Sequence, residues 1–368
     1  AGSPRRPYAG VGPRAVASFV PGITRKAFEK HGFAAASLIT DWPEIVGKDL
    51  ARLTRPEKLK WPRGVEKFVE TGDDERGRPG ATLTLRVDPA AALARRLGPG
   101  WRIIGTTRSA EKADRLASEA VEPLIWPGAD LGSAFAAATH VLASIAPDAA
   151  GDPVLARHGA AIAAAAPHLQ WVGYLSTTGV YGDHGGGWVD EGTPLLPTTT
   201  RGRQRLLAEE QWQALAARSG LPLHIFRLAG IYGPGRGPFE KVRNGIARRI
   251  VRDNQYFSRI HVDDIAAVLA ASIARPDPGA IYNVADDDPS PPEDVLTEAA
   301  RLLGLPLPPE VPFEEAEMTP LARSFYAESK RVRNDRIKRE LGVRLVYPDY
   351  RAGPRLLLAD EELSLIHL

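Results

Sequence analysis

The sequence predicts an α/β fold: a doubly wound parallel sheet with a small C-terminal substrate region, preceded by a small α+β N-terminal segment. Three observations carry this. From Trp101 onward short apolar runs alternate with helical stretches, as strands and crossover helices do in a parallel sheet. The run WVGYLS at 171–176 ends in hydroxyls and leads to the turn-forming Val180-Tyr181-Gly182, the pattern of a buried strand delivering side chains to the mouth of a sheet. The 368 residues, 43% apolar and 25% charged, give room for one large α/β domain and a smaller one.

Taken in order, residues 1–22 are rich in Pro, Gly and Arg and are expected to lack fixed structure. From Thr24 the spacing of Phe28, Phe33, Ala36, Leu38 and Ile39 predicts short helices, with Asp41-Trp42-Pro43-Glu44 as a turn. Strands are expected at 59–61 and 81–87, on either side of the polar loop 63–80. Further strands fall at 101–107, 122–126, 139–146, 171–176 and 223–229, and helices near 110–119, 152–166, 200–219 and 263–274. The run IYNVA near 281–285 adds a strand before helices near 292–303 and 333–341. The expected divisions are therefore 1–22, 23–93, 94–275 and 276–368, and the strand at 81–87 is a candidate for the first strand of the large sheet.

The net charge of +2 points to neither nucleic acid nor membrane, although residues 1–88 carry about +5 and the remainder about −3. There is no cysteine, which excludes disulfides, thiolate zinc sites and cysteine nucleophiles. The eight histidines are scattered without ligand spacing, so a metal site is not expected. No apolar run is long enough to span a bilayer, and a cytoplasmic location without membrane contact is the expectation.

Several ordered blocks carry a family resemblance. They are YLSTTGVYGD, FRLAGIYGPG, SRIHVDDIAAVLAASI and IYNVADD. Over about 93–360 the chain resembles the extended or atypical short-chain dehydrogenase/reductase family, which includes NAD-dependent epimerase/dehydratase-like proteins. The resemblance implies a Rossmann-like domain, an NADP or NAD cofactor, a small-molecule substrate such as a nucleotide sugar, and a homodimer. It places Thr177 at the family's substrate-polarising hydroxyl, flanked by Ser176 and Thr178. Where the family has its Tyr-x-x-x-Lys pair, this chain has Arg201 and Arg205. A guanidinium stays protonated and offers no acceptor, so neither arginine is a general base, while both could bind an anion or a nicotinamide ribose. Replacement bases would be Tyr181, Asp183 and His184, the last beside a run of three glycines expected to be mobile. Arg227, Tyr232 and Arg236 fall where relatives contact substrate.

The family's Gly-x-Gly-x-x-Gly loop is missing. In its place stands LTLRVDPAAAL at 83–93, a strand followed by a helix start, with Asp88 as expected N-cap and Pro89 at the first helical position. A carboxylate there opposes the positive helix end that attracts a pyrophosphate, Pro89 removes an N–H, and the alanines add Cβ atoms. Thr107, Arg108, Ser109 and Lys112, at the end of the strand 101–107, suit a 2′-phosphate better than free ribose hydroxyls and so favour NADP. Ala143 and Ser144, at the end of 139–146, complete the implied cofactor contacts.

The first 93 residues, through TDWPEIVGKDLARLTRPEKLKWPRG and GATLTLRVDPAAAL, are similar to the DciA-like family, whose members assist loading of a bacterial replicative helicase. Three function classes stay open: an NAD(P)-linked oxidoreductase or epimerase-like enzyme, a nucleotide-binding protein on a degenerate dehydrogenase scaffold, and a DNA- or helicase-associated adaptor acting through the N-terminal segment.

Overall fold

The computed structural model describes residues 56–60, 82–85, 89–97, 100–119 and 121–366. The chain divides into two units, Ala1–Thr84 with Ser364–Leu368, and Leu85–Leu363. The helices expected before residue 50, the loop 63–80 and the capping role of Asp88 lie outside the described residues. In the first unit β1 (Pro56–Lys60) pairs with β2 (Thr82–Leu85) in a sheet of two.

The second unit is built on parallel strands. Four of them, β5 (His140–Ala143), β6 (Trp171–Thr177), β8 (Leu223–Leu228) and β12 (Ile281–Val284), form one sheet in the order β12-β8-β6-β5. A parallel pair, β3 (Ile103–Thr107) and β4 (Val121–Ile125), stands beside it in the chain order. β6 and β8 pair from Val172 opposite Leu223 to Thr177 opposite Leu228, and every residue of β8 is buried. Burial on both faces explains why these strands read as continuous apolar runs rather than as alternating ones.

The two faces hold separate cores. Trp171, Leu175, Phe226 and Leu228 face α1 (Pro89–Leu97) and α7 (Val262–Ala274), which pack on each other. Val172, Tyr174, Leu223 and Ile225 face α4 (Pro153–Ala165) and α5 (Thr200–Ser219). Gly173 is required between them, because a Cβ there would enter the Trp171 ring. α4 is capped by Asp152, whose Oδ1 accepts from the Val154 N–H at 2.7 Å, with Pro153 at the first helical position.

A doubly wound sheet in this order needs its first strand between β3 and β5, directly before α1. Among the described residues no strand pairs with the inner edge of either. The strand expected at 81–87 is present as β2 over Thr82–Leu85, where it pairs with β1. Its sequence, with apolar residues only at every second position, matches a sheet covered on one face, not a central strand covered on two.

Outside the four-stranded sheet the chain adds three short parallel pairs. These are β9 (Gly230–Tyr232) with β11 (Arg259–His261), β10 (Arg249–Val251) with β13 (Glu310–Pro312), and β7 (Trp188–Val189) with β14 (Arg331–Val332). A helix at Gly132–Ala137, a helix α9 (Pro320–Phe325) and the C-terminal helix Ala352–Ile366 were not expected from periodicity.

Candidate active site

At the C-terminal ends of β6 and β8 lies a cavity of about 920 Å³. This is where open α/β sheets place ligands, outside the carboxyl ends of the strands. Thr177 ends β6 at its wall and caps the short turn Thr178–Tyr181, its Oγ1 accepting from the Gly179 N–H at 3.2 Å. The hydroxyl proton is left to donate, which is what polarising a substrate oxygen requires. Gly182 closes the turn at φ 79°, with the Leu196 carbonyl where a side chain would go.

Directly beneath Thr177 the side chains are tied to one another. The Ser176 hydroxyl donates to Glu209, and Arg227 binds the same carboxylate at 2.8 Å through Nη2. Arg227 Nη1 also donates to the Tyr181 hydroxyl at 3.0 Å, and that hydroxyl donates to Asn283 Oδ1 at 2.7 Å. Burial works against the charge of Arg227, but the bonds and charge of Glu209 outweigh it and hold its pKa above the ordinary value. Burial pushes the Tyr181 hydroxyl up, against the pull of Arg227. Tyr181 therefore sits in the network as a bridging group, not as a free base, and Arg227 is committed to Glu209 instead of pointing at a substrate.

Arg201 and Arg205 have different surroundings. Arg205 turns inward: its Nη1 donates to the Leu175 carbonyl at 2.7 Å, to the Tyr174 hydroxyl at 3.1 Å and, at 3.4 Å, to the Ile145 carbonyl. Burial pushes Tyr174 up to about 12, partly offset by Arg205. Arg201 is exposed in the first turn of α5, its guanidinium 4.6 Å from the Phe325 ring centre and its Nη2 donating to Ser324 Oγ at 3.0 Å. Both line the cavity, as do Tyr232 and the exposed Arg236. The Tyr232 hydroxyl is buried without a partner among the described residues, and its pKa is pushed far up, first by burial and then by Asp286.

The loop at 182–187 is held in place. His184 N–H and Gly186 N–H both donate to the Ser329 carbonyl at 3.0 Å, and Asp183 Oδ1 accepts from the Ser329 N–H at 2.8 Å. His184 Nε2 lies 3.2 Å from the Tyr181 carbonyl, so its ring is anchored away from the cavity. The strap that does this, residues 328–330, also brings Glu328 and Lys330 to the cavity wall, neither of which the sequence singled out.

Residues 90–285 match the NAD dependent epimerase/dehydratase family. The chain belongs to that family. Residues 15–96 match a second family, described as Dna[CI] antecedent, DciA. Among curated proteins the chain is 32% identical over 177 residues to Protein YeeZ of Escherichia coli strain K12, covering 48% of this chain and 58% of that one. It is 27% identical over 179 residues to a Streptomyces 3-diazoavenalumate denitrifying reductase, covering 45% and 55%. The chain thus spans a little over half the length of the curated relatives it matches. A solved protein of unknown function from Silicibacter pomeroyi is 61% identical, with a TM-score of 0.71, over 74% of this chain and 96% of that one. The UDP-glucuronic acid 4-epimerase of Bacillus cereus, solved with NAD, shares the fold at 14% identity and a TM-score of 0.59, over 75% and 96%.

The epimerase/dehydratase match begins at residue 90 and the DciA match ends at residue 96, so the two meet inside α1. The epimerase/dehydratase match thus takes in α1 but not the residues before it, where the sequence has no Gly-x-Gly-x-x-Gly. For a dinucleotide this divides the site. At the adenosine end Thr107 Oγ1 is buried without a partner among the described residues, beside the exposed Arg108 and Lys112, which fits a ribose or its phosphate. Ser109 is already used, its Oγ capping α2 (Ala110–Ser118) through the Lys112 N–H at 3.4 Å. Ser144 lines the cavity while Ala143 is buried. Of the segment expected at the pyrophosphate end, the described residues include Pro89, which lines the cavity and has no N–H to donate.

Among the described residues no group of three or more His, Asp or Glu could hold a metal ion, and no helix is long and apolar enough to cross a membrane.

Proposed function

We propose that this chain is an atypical NAD(P)-linked oxidoreductase or epimerase-like protein acting on a small anionic substrate, with nucleotide sugars as the leading class. The observation that carries this reading is the cavity over Thr177, walled by Arg201, Arg205 and Arg236 at the carboxyl ends of the central strands. Its hydroxyl can polarise a substrate oxygen, and its guanidinia can hold phosphate or carboxylate. A neighbour of the same fold is a UDP-glucuronic acid 4-epimerase solved with its sugar nucleotide and NAD, which supports the substrate class. Arg108 and Lys112 support NADP over NAD.

A second reading is a ligand-binding protein without turnover. Pro89 at the cavity wall, with no N–H to offer a pyrophosphate, favours it. The DciA match at residues 15–96 supports a separate role for that segment in contacts with DNA or a helicase, which would weaken steeply with salt.

Thermal unfolding of the full chain with millimolar NADPH, NADH or UDP-glucuronic acid separates the first two readings. A ligand at a hundred times its dissociation constant adds about 2.7 kcal/mol to the folded state. Stabilisation by NADPH and by the sugar nucleotide supports the enzyme. Stabilisation by the sugar nucleotide alone supports the binding protein, and no response to any of the three overturns both.

A further inference from the structure

The family's tyrosine is absent from this cavity, and what replaces it is cationic. Arg201 stands at the tyrosine position with only one of its guanidinium nitrogens, Nη2, bonded among the described residues; Nη1 and Nε remain available. Lys330 reaches the same cavity from the strap that holds the 182–187 loop. Its ammonium donates to the Gly182 carbonyl at 2.7 Å, at the end of the turn that begins from Thr177, and to Glu328 Oε2 at 2.8 Å. Glu328 Oε1 accepts from Thr198 Oγ1 at 2.7 Å, three residues before Arg201. The lysine is therefore fixed between the two elements that carry Thr177 and Arg201.

The strap leaves little freedom to either side chain. Lys330 and Glu328 are 11% and 9% exposed, and the third ammonium hydrogen has no partner among the described residues. Both oxygens of Glu328 are occupied, and its hydrogen bonds with Lys330 and Thr198 outweigh its burial and hold the carboxyl below the ordinary range. What this end of the cavity presents to a ligand is the Thr177 hydroxyl, the free edge of a guanidinium and one ammonium N–H. Donors of this kind, two of them cationic, suit an anion with several lone pairs such as a carboxylate.

We infer that Arg201 and Lys330 recognise a carboxylate carried at the reacting end of the substrate, so that the cavity selects an acidic sugar or related acid over its neutral counterpart. This rests on the reading that the cavity binds a sugar nucleotide, and it names a specificity that the reading leaves open. The guanidinium takes the place of a proton-exchanging tyrosine and supplies charge recognition there instead. Lys330, held by Glu328, adds the second contact and sets its direction.

Calorimetric titration of the full chain with UDP-glucuronic acid and with UDP-glucose tests this, since the two differ at the carboxylate alone. A charge-assisted contact of 1.5–3 kcal/mol predicts the uronate to bind at least about tenfold tighter. The R201M and K330M variants, each checked for wild-type thermal unfolding, are expected to bring the ratio below about threefold, with R201K keeping part of it. Arg201 is exposed, so R201M gives a readout even if K330M disturbs the strap. Equal affinity of the wild type for the two ligands, or a ratio unchanged in R201M, overturns the inference while leaving the sugar-nucleotide reading intact. Binding of neither ligand overturns both.

Discussion

Glu209→Ala is expected to destabilise the large unit by about 3–5 kcal/mol, the cost of leaving one partner of a buried ion pair without the other. Arg227 and Glu209 have side-chain exposures of 3% and 1%, and the carboxylate also accepts from Ser176. Removing it leaves a buried guanidinium whose remaining partner is the Tyr181 hydroxyl. Urea unfolding followed by fluorescence measures the loss. Replacing both members, Glu209→Leu with Arg227→Met, is expected to be milder than the single change, since no charge is then stranded. A loss below about 1 kcal/mol for Glu209→Ala would mean that the pair is hydrated. The network is the floor beneath Thr177, so its integrity bears on the site as well as on the fold.

The second large effect is a dependence on pH carried by His261. Its side chain is 1% exposed, stacked on Tyr347 at 3.5 Å and edge-on to Tyr232 at 5.1 Å. Nδ1 accepts from the Asp263 N–H at 3.2 Å, which puts the proton on Nε2, an atom without a partner among the described residues. Burial lowers the pKa from 6.5 to about 4, against the pull of Asp263, whose carboxylate is 3.7 Å away. The folded state therefore takes up its proton later than the unfolded state as pH falls. Its stabilising share is present in full above pH 6.5 and is lost on descending to about 4, a change of about 3 kcal/mol. Unfolding free energies measured from pH 7 to 4 should fall more steeply for the wild type than for His261→Asn, which can keep the helix cap. Parallel slopes would show that His261 titrates normally.

The central strands were legible because burial on both faces leaves an unmistakable apolar run, as in 171–176 and 223–229. Thr177 was legible for a related reason: the turn Val180-Tyr181-Gly182 fixes its place, and only glycine fits against the Leu196 carbonyl. Partners across long separations were not. Glu209 lies in a helix rich in charged residues, where a carboxylate reads as solvated, and only the fold brings it to Arg227 and Ser176. Glu328 and Lys330 arrive from about 150 residues beyond the turn they contact, on a strap with no periodicity. Periodicity also gives a strand's faces without its neighbour. That is why 81–87 was recognisable as a strand while its pairing with β1 was not.

Arg227 and Tyr181 show the same limit in the site itself. Both were expected at the site from the sequence, yet the hydrogen bonds of each are satisfied within the floor of this cavity. Thr177, Arg201, Arg205, Tyr232 and Arg236 line the cavity itself.

The claim that this cavity is the ligand site is tested most directly by backbone hydrogen exchange on the full chain with and without saturating UDP-glucuronic acid. Slowed exchange is expected to concentrate in 176–181, 199–205 and 322–330, the three segments that line the cavity around Thr177. Unchanged exchange in all three, with the ligand bound and protection appearing elsewhere, would contradict it.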